Sequence, residues 1–272
     1  MGLMFQALIM GIVEGLTEFL PISSTGHLII AGNLMKFLPR EQRGVFEIFI
    51  QLGAILAVCW EYRRKLGAVA AGLVNDPPSR RFAGNLVIAF APAGALALLL
   101  GDAIKAHLFS PVPVAAAFVV GGLLIFWAER RRHAVRIVDV GAMTWRDALK
   151  IGCAQCFALV PGMSRSGSTI IGGLFFGLSR RAATEFSFFL AIPTLGAAAL
   201  YDLLKHRDLL DADLAGLLAA GFVSSFVCAL IAVKALLRFV SRHDFTVFAW
   251  YRIAFGAVVL LTASLGVVDW TG

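Results

Sequence analysis

The sequence predicts an all-α polytopic membrane protein with about six transmembrane helices plus two re-entrant helical hairpins. Three observations lead there. Hydrophobic residues make up 59% of the 272 residues and charged residues only 15%, against roughly 25% charged in a soluble domain. Six apolar segments approach the roughly 20 residues that a helix needs to cross a bilayer. Two further apolar regions are interrupted by short polar strings rich in Ser and Gly. The composition excludes disorder, collagen, coiled coil and a disulfide-rich scaffold. It also argues against nucleic acid as the partner behind the net charge of +7, because excess Lys and Arg in such a chain mark cytoplasmic loops.

The spans fall at about 45–61, 84–101, 113–128, 184–202, 214–233 and 246–268. The first broken region, 3–38, is interrupted at Pro21-Ile22-Ser23-Ser24-Thr25-Gly26-His27. The second, 148–178, is interrupted at Pro161 to Ser168. The pieces after the breaks, 28–38 and 169–178, reach only about 15 Å, half the bilayer core. Irregular backbone at that depth is tolerated only inside protein or along a watery cavity, so each region reads as a re-entrant hairpin. No Lys or Arg precedes Lys36, so the basic n-region of a secretory signal is missing and the first segment reads as part of the mature fold.

Placing 61–83, 129–150, 179–183 and 234–245 in the cytoplasm assigns 16 of the 24 Lys and Arg to that side, as the positive-inside rule asks. Both chain ends are then expected outside. Lys36, Arg40 and Arg43 fall against this trend. Cys59, Cys153, Cys156 and Cys228 all sit in apolar stretches and read as ordinary small apolar residues rather than a metal or redox site.

The two broken regions match at an offset of 141 residues: Gly11 with Gly152, Glu14 with Gln155, Ser23 with Ser164, Thr25 with Ser166, Gly26 with Gly167 and Gly32 with Gly173. The chain reads as one integral membrane domain over 1–272, built from repeats of approximately 3–128 and 146–268. An odd number of intervening spans makes the copies inverted, and such repeats place a site where their breaks meet.

The titratable residues gather at those breaks. Glu14 and Glu18 share one helix face, and ionisable groups inside a membrane are functional candidates. A plainer reading has the pair facing a watery cavity mouth. Ser23, Ser24, Thr25 and Gly26 precede His27 and suit the N-terminus of a helix, where free N–H groups bind anions; a lone hydroxyl there would be read as a cap. The second break offers Ser164, Ser166, Gly167 and Thr169, with Arg165 adding a forked donor suited to phosphate. The plainer reading makes Arg165 a structural partner for Glu14 or Glu18, and the two readings are compatible, since the pair would hold the site in shape before substrate arrives. A hydroxyl, a histidine, two carboxylates, an arginine and two helix ends suit phosphoryl transfer, and the apolar surround suggests a lipid-tailed substrate. Glu47 and Glu185 open apolar spans and are expected to favour the helix dipole. Gln51 is a further possible donor behind the site. His107, His133, His206 and His243 read as solvated loop residues.

These strings resemble the undecaprenyl-diphosphate phosphatase, or bacitracin-resistance, family. The resemblance is carried by Glu14-Gly15-Leu16-Thr17-Glu18-Phe19-Leu20-Pro21-Ile22-Ser23-Ser24-Thr25-Gly26-His27 and by Pro161-Gly162-Met163-Ser164-Arg165-Ser166-Gly167-Ser168-Thr169. Phe46-Glu47, Ile50 to Ala57 and Arg181 to Phe188 add to it. The resemblance implies a bacterial inner-membrane enzyme that hydrolyses undecaprenyl diphosphate to undecaprenyl phosphate, recycling the carrier lipid for peptidoglycan and conferring bacitracin resistance. It implies a homodimer with its site open to the periplasm. It implies Glu14, Glu18, Ser24, His27 and Arg165 as site residues, with Ser23, Thr25, Gly26, Ser164, Ser166, Gly167 and Thr169 holding substrate. A divalent cation, Mg²⁺ or Ca²⁺, is implied to support activity, with Glu14 and Glu18 as its candidate ligands.

Two schemes remain open on the sequence. In one, Ser24 is the nucleophile with Glu18 or His27 as base. In the other, His27 is the nucleophile or activates water while Glu14 and Glu18 hold a cation. A polyprenyl-phosphate flippase or secondary transporter shares the repeat grammar. A lipid phosphatase of the unrelated acid-phosphatase-like group is disfavoured, because no histidine follows Ser164-Arg165 before His206. A non-enzymatic scaffold would leave Glu14, Glu18 and Arg165 without purpose.

Overall fold

A computed structural model describes residues 2–131, 134–205 and 212–268; His133 and His206 lie outside the described residues. The chain is all-helical, and the β-structure among the described residues is one isolated bridge between Ile137 and Leu178. In order come α1 (Leu3–Thr17), α2 (Ser24–Leu34), α3 (Arg40–Glu61), α4 (Arg63–Gly72), α5 (Pro77–Leu108) and α6 (Pro111–Arg130). They are followed by α7 (Trp145–Gln155), α8 (Arg165–Phe175), α9 (Arg180–Lys205), α10 (Ala212–Val240) and α11 (Thr246–Ser264). Six of these, α3, α5, α6, α9, α10 and α11, are long and apolar enough to cross a membrane. This is a multi-pass membrane protein.

Local chemistry sets the ends. Asp76 accepts from the Ser79 amide at 3.0 Å ahead of Pro77, and Thr144 with Asp147 forms a capping box at α7, both familiar helix starts. The short helices α2 and α8 end alike. The Phe37 amide donates to the Gly32 carbonyl and the Leu178 amide to that of Gly173, each at 2.9 Å. Lys36 and Gly177, at φ 51° and 86°, supply the left-handed residue such a C-terminal turn requires. At 11 residues each, α2 and α8 extend only about 16 Å.

Helix α4 departs from the expectation of a cytoplasmic loop over 61–83; it is too short and polar to read as a span, and none of its residues is buried. The α2 helix also begins at Ser24, three residues before the expected start at His27.

Close packing depends on small residues, as membrane helices require. A side chain at Gly15 would strike the Ser225 carbonyl and Cys228 of α10, and one at Gly152 would strike the Ala89 carbonyl of α5. Thus α1 lies on α10, which also meets α3, while α7 lies on α5, which also meets α9. Helices α3 and α9 meet each other, as do α6 and α11. Phe19, Phe186, Phe188 and Phe189 form part of the buried core beside the breaks.

Candidate functional site

Both breaks reach their second helix through the same backbone device. Ser23 has φ 69° and ψ 106°, and Ser164 has φ 71° and ψ 118°. A non-glycine residue held there costs on the order of 1–3 kcal/mol. Side-chain hydrogen bonds tie the breaks together, one directly and two through α11. Ser166 Oγ donates to the Leu20 carbonyl at 2.8 Å. Arg252, fully buried on α11, donates to the Pro21 carbonyl of the first break at 3.2 Å and to the Gly162 carbonyl of the second at 2.9 Å. Arg252 also reaches the Ala117 and Phe118 carbonyls of α6 at 2.9 and 3.3 Å, so one guanidinium holds four carbonyls. Its role is missed by sequence reasoning; the available signal was a lone charge within an apolar span.

At the junction Glu18 is the hub. Its Oε2 accepts from Ser24 Oγ at 2.7 Å and its Oε1 from Arg165 Nη2 at 3.0 Å. All three side chains are largely buried. Arg165 Nη1 donates to the Ser187 carbonyl at 2.9 Å and to Ser187 Oγ at 3.3 Å. Thr169 Oγ1 donates to Ser187 Oγ at 2.7 Å. Thr169 therefore stands behind Arg165 rather than presenting its hydroxyl to a ligand. Ser187 joins the site as its partner, a residue that lay within a family-like string but carried no assigned role.

The two anion-ready helix ends differ. At α8 the Ser164 hydroxyl accepts from the Gly167 amide at 3.0 Å and sits 3.1 Å from Ser166 Oγ, so the glycine N–H expected to meet an anion is already capped. At α2 the Ser23 hydroxyl makes no cap bond. Gly26 is packed against Phe118, where a Cβ would approach Cε2 to 2.6 Å, and Thr25 is half-buried.

Glu14 is 1% exposed and neither carboxylate oxygen has a hydrogen-bond partner. Arg165 Nε is likewise buried without one. Unsatisfied buried groups of this kind call for an explanation, and both belong to the broken regions that the Arg165–Glu18 bond joins. The Glu14 oxygens suit a divalent cation, whereas both Glu18 oxygens are engaged. Among the described residues no three His, Cys, Asp or Glu side chains cluster as a metal site.

His27 is not joined to Ser24, Glu18 or Arg165. Its Nδ1 lies 2.7 Å from the Ser23 carbonyl and its Nε2 2.6 Å from the Tyr251 hydroxyl. Its ring stacks on Phe255 with centroids 4.0 Å apart. Glu47 and Glu185 form i,i+4 pairs with Arg43 at 3.9 Å and Arg181 at 3.0 Å. The expected dipole role is displaced for both: α3 starts at Arg40 and α9 at Arg180, and dipole benefit fades beyond the first turn.

The family model for bacitracin resistance protein BacA matches residues 7–258. The chain is 70% identical over 269 residues to undecaprenyl-diphosphatase 2 of Rhodospirillum rubrum, covering 99% of this chain and 98% of that protein. It is 62% identical to undecaprenyl-diphosphatase 1 of Chromobacterium violaceum, over 99% of this chain and 100% of the relative. It is 63% identical to the undecaprenyl-diphosphatase of Nitrosospira multiformis, over 99% and 98% respectively.

Proposed function

The chain belongs to the bacitracin resistance protein BacA family, and from that premise we propose that it hydrolyses undecaprenyl diphosphate to undecaprenyl phosphate and inorganic phosphate at the junction of its two breaks. Relatives at 57–70% identity that bear the diphosphatase name support this reading. The observation that carries the mechanism is the Glu18 hub, with a hydroxyl on one oxygen and a guanidinium on the other.

Ser24 Oγ attacks the terminal phosphorus, and Glu18 Oε2 takes the hydroxyl proton from 2.7 Å away, a distance fit for general-base work. The bond between that phosphorus and the bridging oxygen breaks, and undecaprenyl phosphate leaves. Arg165, fixed through Ser187, offers its charge and its free Nε to the transferring group, which gains negative charge on its equatorial oxygens. The uncapped start of α2 adds backbone donors. Water then attacks the phosphoserine and loses one proton to solvent, the bond from phosphorus to Ser24 Oγ breaks, and the Ser24 oxygen recovers its proton from Glu18 as inorganic phosphate leaves. Glu14 would hold a divalent cation, which when bound would neutralise diphosphate charge.

The short reach of α2 and α8 and the shared turn at Ser23 and Ser164 support reading both breaks as re-entrant hairpins of an inverted-topology repeat. The Lys and Arg distribution supports an inner-membrane protein whose site opens to the periplasm. A homodimer remains part of this reading on family grounds.

The test is phosphate release by purified protein from polyprenyl diphosphates of several lengths, with and without chelator. Stoichiometric release that collapses in Ser24→Ala supports the reading. A protein that moves lipid but releases no phosphate is the flippase instead.

A further inference from the structure

We infer that Tyr251 is the proton relay through which His27 serves the second half of the reaction, hydrolysis of the phosphoserine. The inference rests on the diphosphatase reading above. The Ser23 carbonyl can only accept, so the 2.7 Å contact places the imidazole proton on Nδ1. In the neutral ring Nε2 then carries the lone pair, and its partner at 2.6 Å is the Tyr251 hydroxyl, which donates. The tautomer is thus set by the carbonyl of the one residue in the first break that holds a positive φ. Phe255 stacks on the imidazole and Tyr251 lies nearly parallel to it, at 9°. The charged side chain adjoining this group on α11 is Arg252, whose four carbonyl bonds keep it turned into the junction.

His27 has no bond to Ser24, Glu18 or Arg165, and its basic nitrogen is covered by the phenol. Tyr251 itself is 42% exposed. A water that donates to its oxygen completes the relay while the phenol proton moves to Nε2. In that step the water gives its proton to Tyr251, Tyr251 gives its own to His27, and the hydroxide oxygen bonds to phosphorus. The bond from phosphorus to Ser24 Oγ breaks, Glu18 returns the serine proton, and inorganic phosphate leaves. His27 then loses its extra proton to solvent along the same path, and the tyrosine is unchanged.

The experiment compares Tyr251→Phe, His27→Gln and the double variant in purified full-length protein turning over undecaprenyl diphosphate. Phenylalanine keeps the ring and removes only the donor. Loss of one hydrogen bond to a group that becomes charged corresponds to about a tenfold fall in kcat, with KM falling alongside it and kcat/KM within about twofold of wild type, because only the step after the phosphoenzyme is slowed. The phosphorylated fraction of Ser24 at steady state should rise in Tyr251→Phe, and the double variant should be no slower than His27→Gln alone, as for residues acting as a unit. Gel-filtration behaviour in detergent, with Tyr251→Trp as a second variant, separates these effects from misfolding. A wild-type kcat in Tyr251→Phe overturns the inference, as do additive losses in the double variant or an unchanged phosphoenzyme level. Absence of phosphate release from the wild-type protein instead overturns the diphosphatase reading.

Discussion

The two helix breaks share a backbone and differ in what they leave unsatisfied. Ser23 and Ser164 adopt nearly the same dihedrals, and both short helices close with the same turn. At the offset of 141, Ser24 corresponds to Arg165. These two equivalent positions donate to the two oxygens of one carboxylate, Glu18. Elsewhere the equivalence is broken in one direction. Gln155, in the place of Glu14, has its amide oxygen bonded to Thr194 and its nitrogen near the Ala89 carbonyl, while Glu14 has nothing. Ser164 caps its helix and Ser23 does not. The second break is thus a capped scaffold whose unpartnered atom is the Nε of the arginine it delivers. The first carries the unpartnered carboxylate and the uncapped helix start, which is the expected cost of a site held ready for a charged ligand.

The contrast can be broken at four places. The largest effect is expected at the hub. Ser24→Ala should lower kcat by about 10³-fold or more and Glu18→Gln by about 10²–10⁴-fold, measured as phosphate release. Next is the strut common to both breaks. Arg252→Leu leaves four buried carbonyls without their donor and should lower stability by about 3 kcal/mol or more, seen as a lower melting temperature in detergent.

A smaller and more discriminating pair exchanges the break identities. Glu14→Gln removes an uncompensated buried carboxylate and should raise stability by about 1–3 kcal/mol while lowering activity. Gln155→Glu should lower stability by a similar amount. If both variants shift the melting temperature the same way, the asymmetry assigned to the breaks is wrong. The smallest effect concerns the caps. Ser164→Ala should cost about 1 kcal/mol, and Ser23→Ala only a few tenths of that size, since no cap bond is lost there.

Much of this architecture was legible in the sequence. The six spans appear where length and hydropathy placed them, because apolar runs of bilayer length have few alternatives. Glu18, Ser24 and Arg165 converge because the breaks that carry them meet. Side-chain direction was not legible. Nothing in the order Ser-Ser-Thr-Gly-His says that the second serine rather than the first meets Glu18; that follows from the positive φ at Ser23. Thr169 and Gly167 looked like ligand contacts, but Ser187 and Ser164 already occupy their hydrogen bonds. Arg252 and Tyr251 escaped because they lie far along the chain on α11, and only packing against α6 and the breaks gives them partners. Helix α4 escaped because its ten residues are too few and too polar to read as a span, and none of them is buried.

The proposed mechanism puts the nucleophile on the first break and the clamp on the second. Its most direct test is to quench the purified protein in neutral denaturant during turnover of undecaprenyl diphosphate and locate covalent phosphate by peptide mass spectrometry. Phosphate is expected on Ser24 and on no residue of Ser24→Ala. Phosphate on His27, or turnover with no phosphorylated residue at any time point, would contradict it.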